Sequence, residues 1–281
     1  MRGNKVIAVA NQKGGVGKTV TCQNLAYALT EGGARVLAVD LDPQMNLTTS
    51  YVVNNDDLPA SNINDLFGMI LSDCELPPAQ DYIIPSAGPD ILVGSKALAQ
   101  QEKILLTEMG TEGFLRTILT PLKPLYDYII IDTNRATSPL MINALTAADS
   151  VLIPITPEFY STEGLTDLIT TILKNKRRLN PSIEFEGILF TISDVRTNLY
   201  KESRAEVEAA LGNDIHIFSA VIPRTVQVGE AIKRGLTVLQ YDTHSPASAA
   251  YRALAEEVSN HAGQTNGPHT PPEFHAGADR A

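Results

Sequence analysis

The chain has 281 residues, 43% of them hydrophobic, enough for one large domain or two small ones with a full core. No apolar run approaches the roughly 18–20 residues that span a bilayer, and Met1-Arg2-Gly3-Asn4-Lys5 leads straight into a strand, leaving no room for a cleaved signal peptide. Two cysteines, Cys22 and Cys74, make no disulfide framework and fit a reducing cytoplasm, and a net charge of −10 argues against a positively coated protein while leaving room for a local basic patch.

In chain order, a strand near Lys5–Ala10 leads through a glycine-rich loop to a helix near Thr19–Glu31, ended by Gly32-Gly33. Arg35–Val39 is a second, nearly all-apolar strand, as expected when both faces are covered. Asn62 is placed to cap a short helix carrying Ile63, Leu66, Phe67 and Ile70. Ile91-Leu92-Val93 is a short strand, followed by helical patterns at Ser95–Leu106 and Thr111–Leu122. Asp127–Ile131, Val151–Ile155, Phe185–Ile192 and Ser219–Ile222 are further strands. Helices fall at Thr162–Arg178, Tyr200–Leu211, Val226–Arg234 and Ser248–Asn260. This alternation predicts an α/β fold: a mainly parallel twisted sheet with helices on both faces and the ligand site at the carboxyl ends of the strands. Residues 1–260 are expected to form one domain; 261–281, rich in Gly, Pro, His and Thr without apolar periodicity, read as a disordered tail.

Three motifs fall at strand ends. Lys13-Gly14-Gly15-Val16-Gly17-Lys18-Thr19 follows the first strand and reads as a phosphate cradle of the P-loop type. Successive backbone N–H groups wrap the phosphates, Lys18 reaches the β- and γ-phosphates, and the Thr19 hydroxyl ligates magnesium. The usual glycine five residues before Gly17 is Gln12, and a second lysine, Lys13, stands at the loop mouth. Asp40-Leu41-Asp42-Pro43 ends the second strand, where an unpaired buried carboxylate is costly, so magnesium or a polarised water is expected beside Asp40 and Asp42. Asp42 before Pro43 also fits a turn-forming aspartate. Tyr128-Ile129-Ile130-Ile131-Asp132 is the Walker B arrangement, whose carboxylate holds magnesium directly or through water.

The loop with its extra lysine resembles the deviant Walker A motif of the ParA/MinD class of ATPases. The series Lys13–Thr19, Asp40–Thr48, Asp127–Thr133, Arg196-Thr197-Asn198-Leu199 and Val221-Ile222-Pro223-Arg224 is similar in order to ParA-type partition ATPases, including the chromosomal Soj branch. The resemblance runs from about Lys5 to Val258. It implies a weak, partner-stimulated ATP hydrolase using ATP and Mg2+. Two nucleotides would be sandwiched in an ATP-dependent homodimer. Lys13 would reach the partner's phosphates and Lys18 its own, and Thr19 would ligate magnesium with support from Asp132. Asp42 would position the attacking water. Gly14 would lie at the dimer interface, Gly15, Val16, Gly17 and Val20 against the nucleotide, and Pro223 and Thr225 against adenine. It further implies a nucleoid-associated protein in the cytoplasm, gripping nonspecific double-stranded DNA in its ATP state. With a ParB-like centromere-binding adaptor it would segregate plasmid or chromosomal DNA.

Some positions depart from the family. Val20 replaces a threonine, and Thr225 replaces a common asparagine. Asn134-Arg135-Ala136 stands where paired prolines are common; this is the expected second switch, with Arg135 either touching phosphate or solvated. Glu208, Ala209 and Pro246 stand where basic residues are often found. The remaining candidates for DNA contact are Lys201, Arg204, Lys233, Arg234, Arg252 and the run Lys174-Asn175-Lys176-Arg177-Arg178, the last also readable as a cationic cap on a helix end. The rival readings are a ParA-like ATPase that positions a protein cargo with weak or no DNA binding, and a small-molecule ATP-dependent ligase. A membrane-positioning ATPase would need a basic amphipathic C-terminal helix, which Gln264–Pro272 cannot form, so no membrane partner is expected.

Overall fold

The computed structural model describes residues 4–51, 58–134, 138–157 and 162–261. Among them, eight strands form one sheet in the order β3-β4-β2-β5-β1-β6-β7-β8. The strands are β1 (Lys5–Val9), β2 (Val36–Leu41), β3 (Ile83–Ile84), β4 (Asp90–Leu92), β5 (Tyr128–Thr133), β6 (Ser150–Ile155), β7 (Glu184–Ser193) and β8 (Ile217–Pro223). Their pairings are parallel except β3 with β4. The helices are α1 (Lys18–Glu31), α2 (Asn46–Tyr51), α3 (Ile63–Leu71), α4 (Leu98–Thr107), α5 (Phe114–Leu119), α6 (Pro139–Ala147), α7 (Thr162–Arg178), α8 (Asn198–Leu211), α9 (Val226–Lys233), α10 (Val238–Tyr241) and α11 (Pro246–His261).

The expected α/β architecture is present, and alternation along the strands explains it. In β1, Val6 and Ala8 enter one buried cluster, with α3 to α8. Ile7 and Val9 enter the other, with α1 and α11. A strand buried on both faces is apolar throughout, hence the uninterrupted runs of β1, β2 and β5. Asn62 caps α3 as expected, in a capping box with Asp65.

Several elements differ from expectation. The helix expected over Thr111–Leu122 is a 3-10 turn, Thr111–Gly113, followed by the shorter α5. The helix α6 lies in a stretch without a readable pattern, because seven of its nine residues are buried and no polar stripe marks a period. His261, assigned above to the tail, is the last residue of α11; 262–281 and Arg135 lie outside the described residues.

The outer edge of β8 is covered by side chains. Glu257 of α11 accepts from the backbone N of Ser219 at 2.9 Å and of Ala220 at 2.7 Å, while Arg204 of α8 donates to the carbonyl of Phe218 at 3.3 Å. Groups that would otherwise recruit a further strand are thereby engaged.

Candidate nucleotide site

The central strand β1 lies between β5 and β6, with β2 to β5 on one side of it and β6 to β8 on the other, so the chain order reverses at β1. Such a switch point opens a crevice beyond the strand ends, and the glycine loop leaves β1 there. Gly15 and Gly17 have φ of 78° and 80°, left-handed values that turn consecutive N–H groups inward. Gly17 is the N-cap of α1 and supplies no side chain, and the first turn of α1 holds no acidic residue, so its N–H groups suit an anion without competition from a side chain of that turn. Substitution at Gly17 is limited by the backbone, since an added Cβ would meet only Thr191, at an ordinary 3.9 Å. Gly17→Ala is expected to destabilise the fold by about 1–2 kcal/mol through the left-handed penalty and to weaken ATP binding. Thermal melts with and without ATP check both effects.

The loop is held from distant parts of the chain. Asn11 donates from Nδ2 to the carbonyl of Pro154 at 2.7 Å and accepts on Oδ1 from the N of Lys13 at 2.9 Å. Thr191 donates to the carbonyl of Val16 at 2.8 Å. The buried Lys18 donates from Nζ to the carbonyl of Lys13 at 3.2 Å, so its ammonium lies across the cradle. Thr133 donates to the carbonyl of Val9 at 2.9 Å, tying the end of β5 to the start of the loop.

Register then gathers the carboxylates. Asp132 pairs with Val9 on one side and with Asp40 on the other. Both Asp132 oxygens are buried without a hydrogen-bond donor among the described residues. Burial, then repulsion from Asp40, pushes its pKa well above the usual carboxylate range, while the nearby Thr19 hydroxyl and Lys18 draw it down. A buried carboxylate without donors beside a hydroxyl and the phosphate cradle suits a magnesium ion that takes its other ligands from nucleotide and water. The described residues contain no cluster of three acidic, His or Cys groups able to hold a metal unaided.

Asp40 corrects an expectation. It needs neither metal nor water, because Oδ1 accepts from the N of Asp42 at 3.1 Å and Oδ2 from both the N and the hydroxyl of Thr48, each at 2.7 Å. Asp42 is buried, and its Oδ1 accepts from the N of Gln44 at 2.9 Å, the turn geometry expected of Asp before Pro. At the β8 edge of the sheet, on the same carboxyl side, Pro223 closes β8 beside Ser193, and the Thr225 hydroxyl, at the N-cap of α9, is buried without a partner among the described residues.

Comparison with known proteins agrees with this geometry. A family model described as an AAA domain matches residues 4–185. The sporulation initiation inhibitor protein Soj of Bacillus subtilis is 37% identical over 257 residues, covering 91% of this chain and 98% of that one. The chromosome-partitioning ATPase Soj of Thermus thermophilus is 38% identical over 252 residues, covering 90% and 94%. The chain belongs to the ParA/Soj family of ATPases. A solved structure of cobyrinic acid a,c-diamide synthase from Mycobacterium smegmatis with ADP and magnesium superposes with a TM-score of 0.77 at 32% identity, covering 95% of this chain and all of that one. This ParA-family member is accordingly an ATP hydrolase that uses ATP with Mg2+.

The structure also shows residues that sequence reasoning missed: Asn11, Thr48, Gly94, Thr133 and Thr191. Thr48 and Thr133 lay inside motifs without a role of their own; Thr191 reaches Val16 across 175 positions, which no local pattern signals. The DNA-contact candidates are thinned. Arg204 binds Glu208, Tyr200 and the Phe218 carbonyl. Arg252 binds both oxygens of Glu31 and the Thr243 carbonyl. Lys201, Lys233, Arg234, Lys174, Arg177 and Arg178 remain exposed, with Arg234 over the Tyr241 ring at 4.9 Å. Among the described residues no helix is long and apolar enough to cross a membrane.

Proposed function

We propose that the protein is an ATP-timed dimerisation switch that partitions DNA. Residues 1–260 would work as one ATPase unit. The observation that carries the reading is the second lysine, Lys13, at the mouth of a phosphate cradle that faces an orphaned Asp132. Lys18 neutralises the chain's own β- and γ-phosphates, while Gly15, Val16, Gly17, Thr19 and Val20 line them. Thr19 and Asp132 would hold magnesium, which supplies charge neutralisation across the phosphates. Lys13, from the other subunit, completes the site in the manner of an arginine finger, so hydrolysis waits on dimerisation, and Gly14 leaves room for that approach. Asp42 orients the attacking water. Pro223 lies against adenine, and the unpartnered Thr225 hydroxyl suits a polar contact to the base. Slow hydrolysis makes the ATP dimer a timed state that dissociates after turnover.

In the ATP state the dimer would bind nonspecific duplex DNA on the nucleoid, in the cytoplasm, and a ParB-like adaptor would stimulate hydrolysis. The exposed cations Lys201, Lys233 and those at the end of α7 support this, and dimerisation doubles whatever patch they form. The internal engagement of Arg204 and Arg252, with a net charge of −10, favours a second reading: the same switch positioning a protein cargo without DNA. The Soj relatives match at higher identity than the synthase, which favours partition over a small-molecule ligase.

Binding of purified protein to random-sequence duplex DNA, with ATP, ADP or no nucleotide across a salt series, tests the reading. We expect ATP-specific binding that weakens steeply with salt, its logarithmic slope counting the phosphates neutralised. An ATP dimer that binds no DNA at any salt would leave the protein-cargo reading.

A further inference from the structure

The Asp40 clamp has a role beyond burial. Its two oxygens hold both ends of one loop: Oδ1 takes the N of Asp42, and Oδ2 takes the N and hydroxyl of Thr48. The Thr48 hydroxyl also accepts from the backbone N of Gly94 at 2.9 Å, joining the connection after β4 to the same point. Gly94 is pressed against it: a Cβ there would stand 3.0 Å from the Asp40 Cγ and 3.1 Å from its carbonyl oxygen. The loop so closed is not a relaxed one. Met45 sits at φ 57°, a left-handed value unfavourable for a residue with a side chain, and its N donates to the Asp42 carbonyl at 2.9 Å. Such conformations persist only where the surroundings over-determine them.

We propose that Thr48 is a positioning residue for ATP hydrolysis, acting through Asp40 to hold the Asp42 side chain where it orients water. This rests on the role given to Asp42 above. Without the hydroxyl, Asp40 loses one of its three donors, Gly94 loses its acceptor, and the strained loop is free to shift. A displacement of about 1 Å at a reacting group can change rates by up to roughly 100-fold. Thr48 is buried and touches the loop's frame, so its loss acts on geometry at the site and not on the phosphate cradle.

The test compares Thr48→Val, Thr48→Ser, Gly94→Ala and Asp42→Ala by steady-state ATPase rate, KM for ATP and melting temperature. Thr48→Val keeps the shape and is expected to lower kcat about 10-fold or more with KM within about 3-fold, while Thr48→Ser restores turnover to within about 2-fold. Gly94→Ala, which pushes on Asp40 with the hydroxyl intact, should mimic Thr48→Val. Wild-type kcat in Thr48→Val, with Asp42→Ala slow, overturns the clamp alone. A Thr48→Val defect in KM and melting temperature that Thr48→Ser does not restore also overturns it, since that marks a merely structural role. Wild-type turnover in Asp42→Ala overturns the reading of Asp42 and the clamp with it.

Discussion

Lys13→Ala is expected to abolish ATP-driven dimerisation or dimer-coupled hydrolysis while leaving most of the ATP affinity. The phosphate loop is held through the backbone of Lys13: its N is held by Asn11 and its carbonyl by Lys18. Alanine preserves both contacts, so the cradle stays formed and the substitution removes the ammonium. A cation supplied in trans to the transferring phosphoryl group is worth roughly 1,000-fold or more in rate. Turnover should therefore fall at least about 100-fold, with nucleotide binding little changed. Analytical ultracentrifugation with ATP and a phosphate-release assay decide it. An unchanged ATP dimer with normal turnover would remove the role given to this lysine.

Asp42→Ala should bind ATP, accumulate as the ATP dimer and turn over roughly 100–1,000-fold more slowly, the usual size of a lost acid–base or water-orienting group. Asp42 also has a local duty, because its Oδ1 accepts from the N of Gln44, and alanine removes that contact as well. Asp42→Asn separates the two roles, since an amide oxygen still accepts from Gln44 but no longer takes a proton. Slow turnover in both variants supports the water-orienting role. Full activity in Asp42→Asn with a slow Asp42→Ala would reduce Asp42 to a turn former. A nucleotide-binding titration of each variant, run beside the dimer assay, identifies one that fails to bind ATP before its rate is read.

Most of the architecture was legible because its signals are local. Apolar runs marked β1, β2 and β5, since a strand covered on both faces needs no polar positions. Asn62 announced α3 through its capping geometry. The same completeness of burial hid α6, whose period had no polar face to show it. The two-residue β3 and the four-residue α10 carry too few positions for any pattern. In the site, the phosphate loop and the two aspartate motifs stood out because each belongs to a short contiguous stretch. Their partners did not: Asn11 and Thr191 act between distant parts of the chain, and Thr48, in the same motif as Asp40, meets it only once the chain turns into α2. Asp40 looked like a carboxylate in need of a cation; folding supplied Thr48 instead. Arg204 and Arg252 looked like free cations, but Arg204 pairs with Glu208 one turn on in α8 and reaches the Phe218 carbonyl of β8, and Arg252 of α11 meets Glu31 at the end of α1.

The chain's sequence alone determined that it builds a parallel α/β sheet with a phosphate loop, a second lysine and two strand-end aspartates, since spacing and residue type within a dozen positions suffice for each. Only the tertiary structure decided which carboxylate is left without donors and which is clamped. Asp40 and Asp132 are adjacent in register and equally buried, and both close an apolar strand. They differ in how they are engaged: the N and hydroxyl of Thr48 clamp Asp40, while the Thr19 hydroxyl stands near Asp132 without closing a hydrogen bond, and the clamp depends on the packing of α2 and the connection after β4 against the end of β2.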